Sequence, residues 1–207
     1  MKGFSDEERE RIRASLLECG RELFAQYGLE RTRIKDITDD VGIGTSTFYQ
    51  FFDSKEELYV DVLIAERKRL NAELEAAVED IDSPREQVRV TLETVFEAIE
   101  SNPLISRLVV EGELRLLQNQ LSDAERRAII EEFGNERLGY IDGWVDNPAF
   151  KYDDPRIVDG LLRLLAFVTR SKDIDSETNG VSEYEVIRGA LIDVVVDGLF
   201  EDNGESQ

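Results

Sequence analysis

The stretch Gly42–Leu58, GIGTSTFYQFFDSKEEL, decides how this chain folds. Three small hydroxyl residues (Thr45, Ser46, Thr47) lead into an aromatic cluster (Phe48, Tyr49, Phe51, Phe52) and then Lys55. Just before it, Ile34, Ile37 and Val41 are spaced three then four, one apolar stripe of a short helix. Gly42 can take the positive backbone angle that ends such a helix, and Ile43 then packs inward. A second helix fits Thr45 to Phe51, with Phe48 and Phe52 as its buried face. Helix, tight glycine turn, helix is the arrangement in which a second helix enters the major groove of DNA. By spacing alone it is equally a plain corner between two helices.

Burying Phe48 and Phe52 turns Thr45, Ser46, Thr47 and Gln50 outward. Gln can pair bidentately with adenine, and Thr can pack its methyl on thymine or donate to base acceptors. Tyr49, Lys55 and the amides at helix starts near Thr32 and Ser54 suit phosphate oxygens, which position a protein without specifying sequence.

Working outward, the chain is punctuated by helix starts. Ser/Thr-x-x-Glu, a reciprocal cap, occurs at Ser5–Glu8, Ser54–Glu57, Ser83–Glu86, Ser122–Glu125 and Ser182–Glu185. Asn102-Pro103 and Asp154-Pro155 place a cap before proline, as Ser83-Pro84 also does. Apolar residues at helical spacing follow each, predicting helices over 6–27 (stopping at Gly28), 55–78, 84–100, 103–118, 123–145, 155–170 and 183–200. With the short pair they make nine helices. Residues 146–154 and 172–181 read as loops, and 202–207 as a flexible tail. The expected class is all-α.

The 207 residues include 46 Asp/Glu against 25 Lys/Arg, a formal charge of −21, and only six of the cations are lysines. Dense carboxylates repel one another unless salt screens them, and at 1 M the screening length is about 3 Å. A halophilic host with a salt-filled cytoplasm is expected from this composition, the alternative being an ordinary acidic protein. The acidity is uneven. Residues 1–58 carry 9 Lys/Arg and 13 Asp/Glu, whereas 59–207 carry 16 and 33. From Arg31 to Lys55 the balance is zero: Arg31, Arg33, Lys35 and Lys55 against Asp36, Asp39, Asp40 and Asp53. No run of about 18 apolar residues predicts a membrane span. The charged Met1–Arg13 does not read as a signal peptide, so a cytoplasmic protein is expected. One cysteine, Cys19, excludes an internal disulfide and reads as inert packing. With no histidine and one cysteine, His-dependent triads and His- or Cys-rich zinc sites are absent. Neither enzyme activity, a cofactor nor a metal is expected.

The segment TRIKDITDDVGIGTSTFYQFFDSKEEL (Thr32–Leu58), preceded by LLECGRELFAQYGLERT (Leu16–Thr32), resembles the DNA-binding head of the TetR family of transcriptional regulators. The similarity runs from about Glu10 to Leu70. It rests on Phe24 and Gly28, Thr32, Ile37–Ile43, Thr47–Phe52 and Ser54–Leu58. The resemblance implies that Thr32 and Arg33 touch phosphates and that Tyr49 and Lys55 grip the backbone. It implies that Thr45, Ser46, Thr47 and Gln50 read or approach bases. Lys35 completes the candidate DNA-contacting set. Gly44 departs from the Ser or Thr that often caps the recognition helix in the family, so a looser helix start is expected. Asp39 and Asp40 should repel phosphate unless they point away or cations intervene.

The resemblance also divides the chain into a DNA-binding domain (1–53), a ligand-binding and dimerisation domain (54–201) and the tail. Leu161, Leu162, Leu165, Ile187, Leu191, Val194 and Val195 exceed what one core side needs. The resemblance implies that their two helices pair with symmetry mates, so that a homodimer reads a palindromic operator. Val88, Leu92, Phe96, Leu108, Tyr140, Trp144 and Phe167 are candidates for a pocket that takes a small hydrophobic effector, with Glu111, Glu113 and Arg115 as polar anchors. The expected function is a ligand-responsive repressor. The alternative is a helical protein-interaction module that keeps the helix-turn-helix as scaffold.

Overall fold

The computed structural model describes residues 4–107, 117, 121, 138–170 and 181–201. Among them are nine α-helices and no strand: α1 (Asp6–Arg31), α2 (Ile34–Val41), α3 (Thr45–Phe48), α4 (Lys55–Val78), α5 (Pro84–Ser101), α6 (Pro103–Ser106), α7 (Tyr140–Val145), α8 (Pro155–Ala166) and α9 (Val181–Leu199). A 3₁₀ turn, Phe167–Arg170, follows α8. The chain packs as two units, Met1–Lys68 with Asn102–Phe133, and Arg69–Ser101 with Gly134–Gln207.

Helix starts follow the caps. Ser5 and Glu8 exchange hydrogen bonds, Ser5 N to Glu8 Oε2 at 2.9 Å and Glu8 N to Ser5 Oγ at 3.2 Å. Glu57 N donates to Ser54 Oγ at 3.0 Å, Leu104 N to Asn102 Oδ1 at 3.0 Å, and Arg156 N to Asp154 Oδ1 at 2.9 Å. The cap at Ser122 lies outside the described residues, as do most of the helices expected over 103–118 and 123–145 and the whole tail. α9 begins at Val181, two residues before the expected start, and α8 gives way to 3₁₀ geometry at Phe167. Both are ordinary end effects.

In the first unit the apolar faces of α1, α2, α3, α4 and α6 share one core. Leu16, Phe24, Ile37, Phe48, Phe52, Leu58, Tyr59 and Leu104 are all buried in it. Phe24 meets Tyr59 edge-on, centroids 4.8 Å apart. α1 differs from the reading that stopped it at Gly28. That residue adopts φ 75°, ψ 173°, a kink open essentially to glycine alone, and the helix resumes to Arg31.

In the second unit Val88, Leu92, Phe96, Ile141, Trp144, Val158, Leu162, Ile192 and Val196 form a separate core. α5 and α9 run antiparallel, tied by Arg85–Asp197 (2.8 Å), Arg89–Asp193 (2.7 Å) and Arg188–Glu100 (2.8 Å). A single bridge, Phe150 with Phe200, closes the chain after α9. It is held by Lys151 N to Leu199 O at 2.9 Å and Glu201 N to Ala149 O at 2.8 Å.

Candidate nucleic-acid interface

α2 ends as its sequence requires. Gly42 has φ 76°, ψ 31°, and the amides of Gly42 and Ile43 donate back to Asp39 O (3.3 Å) and Thr38 O (3.0 Å). Ile37 is buried, with Ile34, Val41 and Ile43 packed beside it. α3 is shorter than the expected Thr45–Phe51, ending at Phe48. The chain continues as tight turns, with Gln50 N donating to Thr47 O (3.0 Å) and Phe51 N to Phe48 O (2.9 Å). Gly44 at the N-cap offers no side-chain bond, as the departure at that position led us to expect.

Phe48 and Phe52 are buried, each contributing about 1.5–3 kcal/mol by apolar burial. Their burial turns Thr45, Ser46, Tyr49 and Gln50 into exposed positions, with Thr47 half-buried. Tyr49 is 54% exposed although its ring meets Phe48 edge-on. Beside this face lies an open cleft of about 410 Å³, lined by Glu30, Thr32, Arg33, Ile34, Tyr49, Asp53, Ser54, Lys55 and Glu56. The structure thus brings Arg33, Tyr49 and Lys55 to one concavity.

Two of the phosphate candidates have other duties. Thr32 is 1% exposed and its hydroxyl donates to Gly28 O at 2.7 Å. It closes the turn after the kink, and its amide donates to the same carbonyl at 3.3 Å. Lys55 Nζ donates to Leu29 O (2.7 Å) and Thr32 O (3.0 Å), so its charge sits where the carbonyls at the end of α1 need it. One ammonium proton remains for the cleft. Lys35 pairs with Asp39 at 3.1 Å along α2, both well exposed.

The two feared carboxylates are accounted for. Asp39 is the partner of Lys35, and Asp40 is turned to α1, its Oδ2 3.6 Å from Cys19 Sγ. Burial, reinforced by Asp40, pushes the Cys19 thiol up to about 12, in keeping with an inert residue. Arg9 was missed by the sequence reading: it reaches from α1 to the Gln50 carbonyl (Nη2···O 3.3 Å). Its position 41 residues upstream left no local signal.

The second unit offers an open cleft of about 590 Å³ lined by Ala72, Glu75, Ala76, Val78, Glu79, Gln87 and Tyr140. Among the described residues of the expected pocket set, Tyr140 lines it. Val88, Leu92, Phe96 and Trp144 are at most 1% exposed and pack the core instead, because they face inward from α5 and α7. Phe167 is 43% exposed and lies on the outer surface. Leu108, Glu111, Glu113 and Arg115 lie outside the described residues. Trp144 Nε1 donates to Gln87 Oε1 at 2.7 Å, and Thr91 Oγ1 donates to the Tyr140 phenol oxygen at 3.3 Å. Burial pushes the Tyr140 phenol up to about 12, so it stays protonated.

α8, the 3₁₀ turn after it and α9 carry exposed apolar residues: Ile157, Leu161, Leu164, Phe167, Val186, Ile187 and Val194. Of the expected interface set, Leu161, Ile187 and Val194 are among them. Leu162 is 7% exposed and belongs to the core, and Leu165, Leu191 and Val195 are half-buried against that core. No helix among the described residues is long and apolar enough to cross a membrane.

Comparison with known proteins agrees with this geometry. Residues 16–62 match the profile described as bacterial regulatory proteins, tetR family. The HTH-type transcriptional repressor KstR2 of Mycobacterium tuberculosis is 35% identical over 88 residues, 42% of this chain and 44% of that protein. The chain therefore aligns with less than half the length of that relative. KstR2 of Rhodococcus jostii is 25% identical over 192 residues, 90% of each chain. Among solved structures, a TetR-family transcriptional regulator from Pectobacterium atrosepticum superposes with TM-score 0.68 at 22% identity, covering 95% of this chain and 98% of that one. RolR, solved in complex with the ligand resorcinol, superposes with TM-score 0.64 at 17% identity over 92% and 90% of the two chains. Residues 16–62 are thus similar to the tetR family of bacterial regulatory proteins, and the chain shares the helical fold of these solved structures.

Proposed function

We propose that the chain is a DNA-binding transcriptional regulator that acts as a homodimeric repressor on a palindromic operator, leaving it when a small effector binds. The observation that carries this reading is the outward presentation of Thr45, Ser46, Tyr49 and Gln50 over a buried Phe48–Phe52 floor. Beside it, Arg33 and Lys55 supply positive charge for phosphate. The KstR2 repressors support the repressor sense, and the exposed apolar residues of α8 and α9 support a second copy as partner.

The cleft at Tyr140 is the effector site in this reading, by analogy with RolR and its resorcinol. Its lining of alanines, Val78 and a phenol suits an aromatic or aliphatic body, with Gln87 and the two glutamates for polar groups. Selection from random duplexes in molar potassium chloride tests the proposal. A regulator enriches an inverted repeat whose half-sites lie one or more helical turns apart. Failure to enrich any duplex would leave only the interaction-module reading.

A further inference from the structure

The DNA-reading turn is intrinsically weak. α3 has four residues, glycine at its N-cap and no side-chain cap, and so short a helix has little stability of its own. Gln50, the longest side chain available to a base edge, lies two residues beyond the end of that helix. Beyond the burial of Phe48 and Phe52, it is steadied from α1. Arg9 Nη2 donates to the Gln50 carbonyl at 3.3 Å, and the Arg9 guanidinium carbon lies 4.9 Å from the centroid of the Phe51 ring. One turn further along, Arg13 lies 5.0 Å from the Phe52 centroid and pairs with Asp61. The Phe4 ring centroid stands 6.4 Å from that of Phe51. The start of α1 is itself fixed by the Ser5–Glu8 cap and by Arg9 N donating to Ser5 O at 2.9 Å.

We infer that Arg9 is a positioning residue for base reading: seated against the Phe51 ring and bonded to the Gln50 carbonyl, its guanidinium sets the direction in which the Gln50 side chain leaves the backbone. The inference rests on the DNA-binding reading above. A planar guanidinium can lie on a ring and donate in its own plane at once, which a lysine ammonium does not.

The test starts from the duplex that the wild type selects. Affinities are measured for that duplex and for every single base-pair replacement, with wild type, Gln50→Ala, Arg9→Ala, Arg9→Lys and the double variant Arg9→Ala/Gln50→Ala. Gln50→Ala is expected to erase a preference of roughly tenfold at one base pair of each half-site. Arg9→Ala and Arg9→Lys are expected to erase that same preference, and the double variant to lose nothing more. Phe51→Leu, which removes the ring seat, is expected to loosen the same position. An Arg9→Ala variant that weakens all duplexes equally and lowers the salt slope by about one would show a direct phosphate contact and overturn the inference. Unchanged base preference would overturn it too. A wild type that selects no duplex removes the DNA-binding reading itself, and the inference with it, at the first step.

Discussion

Lys55 shows how one side chain can serve folding and binding together. Two of its ammonium protons are held by Leu29 and Thr32 carbonyls. Lys55→Met is therefore expected to lower unfolding free energy by about 1–2 kcal/mol as well as weaken DNA binding, read by urea unfolding beside operator affinity. Tyr49→Phe should weaken binding alone, since its hydroxyl bonds to no other described residue of the fold. Cys19 is the second residue with a measurable signature. Its thiol, raised from 9.0 to about 12 chiefly by burial, stays protonated while an unfolded thiol ionises. The stability this contributes is full below pH 9 and is lost as pH rises toward 12. At pH 9, alkylation of the folded protein should be at least roughly tenfold slower than in denaturant. The sequence could announce Tyr49 and Gln50, because local helical spacing exposes them. It could not announce the duties of Thr32 and Lys55, whose partners are backbone carbonyls brought close by the kink at Gly28.

At the level of elements, caps and glycine stops were legible because they are local chemistry. Gly42→Ala is expected to cost about 1–2 kcal/mol, read as a fall in melting temperature. A Cβ there meets nothing within 4 Å, so strain in the left-handed backbone is the whole effect. Orientation in α8 was not legible. Leu161, Leu162, Leu164 and Leu165 offer two overlapping apolar stripes, and a shift of one position rotates a helix face by about 100°. The structure buries Val158 and Leu162 and exposes Ile157, Leu161 and Leu164, a choice made by the neighbouring helices and not by the segment itself. In the same way α5 and α7 spend their aromatic side chains on the core, a choice the segments alone do not dictate.

For the whole molecule, the exposed apolar residues of α8 and α9 and the charge of −21 each carry an expectation. Leu164→Arg or Val194→Glu, at positions 67% and 68% exposed, should leave helix content intact and turn a dimer into a monomer by light scattering. If the acidity serves a salt-filled cytoplasm, circular dichroism should show a fold that gains stability as potassium chloride rises. Operator affinity from 0.5 to 3 M should fall less steeply than a basic repressor's, because little counterion release remains to be gained. The ion pairs between α5 and α9 have a further consequence. Arg85–Asp197 and Arg89–Asp193 repeat at one-turn spacing, so a slip of α9 by a turn would still let one arginine find an aspartate. Arg188–Glu100 reverses the polarity, and the slip that sets Arg89 against Asp197 also brings Glu93 toward Asp193. The charges thereby oppose a slide of α9 in that direction, and swapping the charges of Glu100 and Arg188 should preserve their tie while removing either charge alone should loosen it.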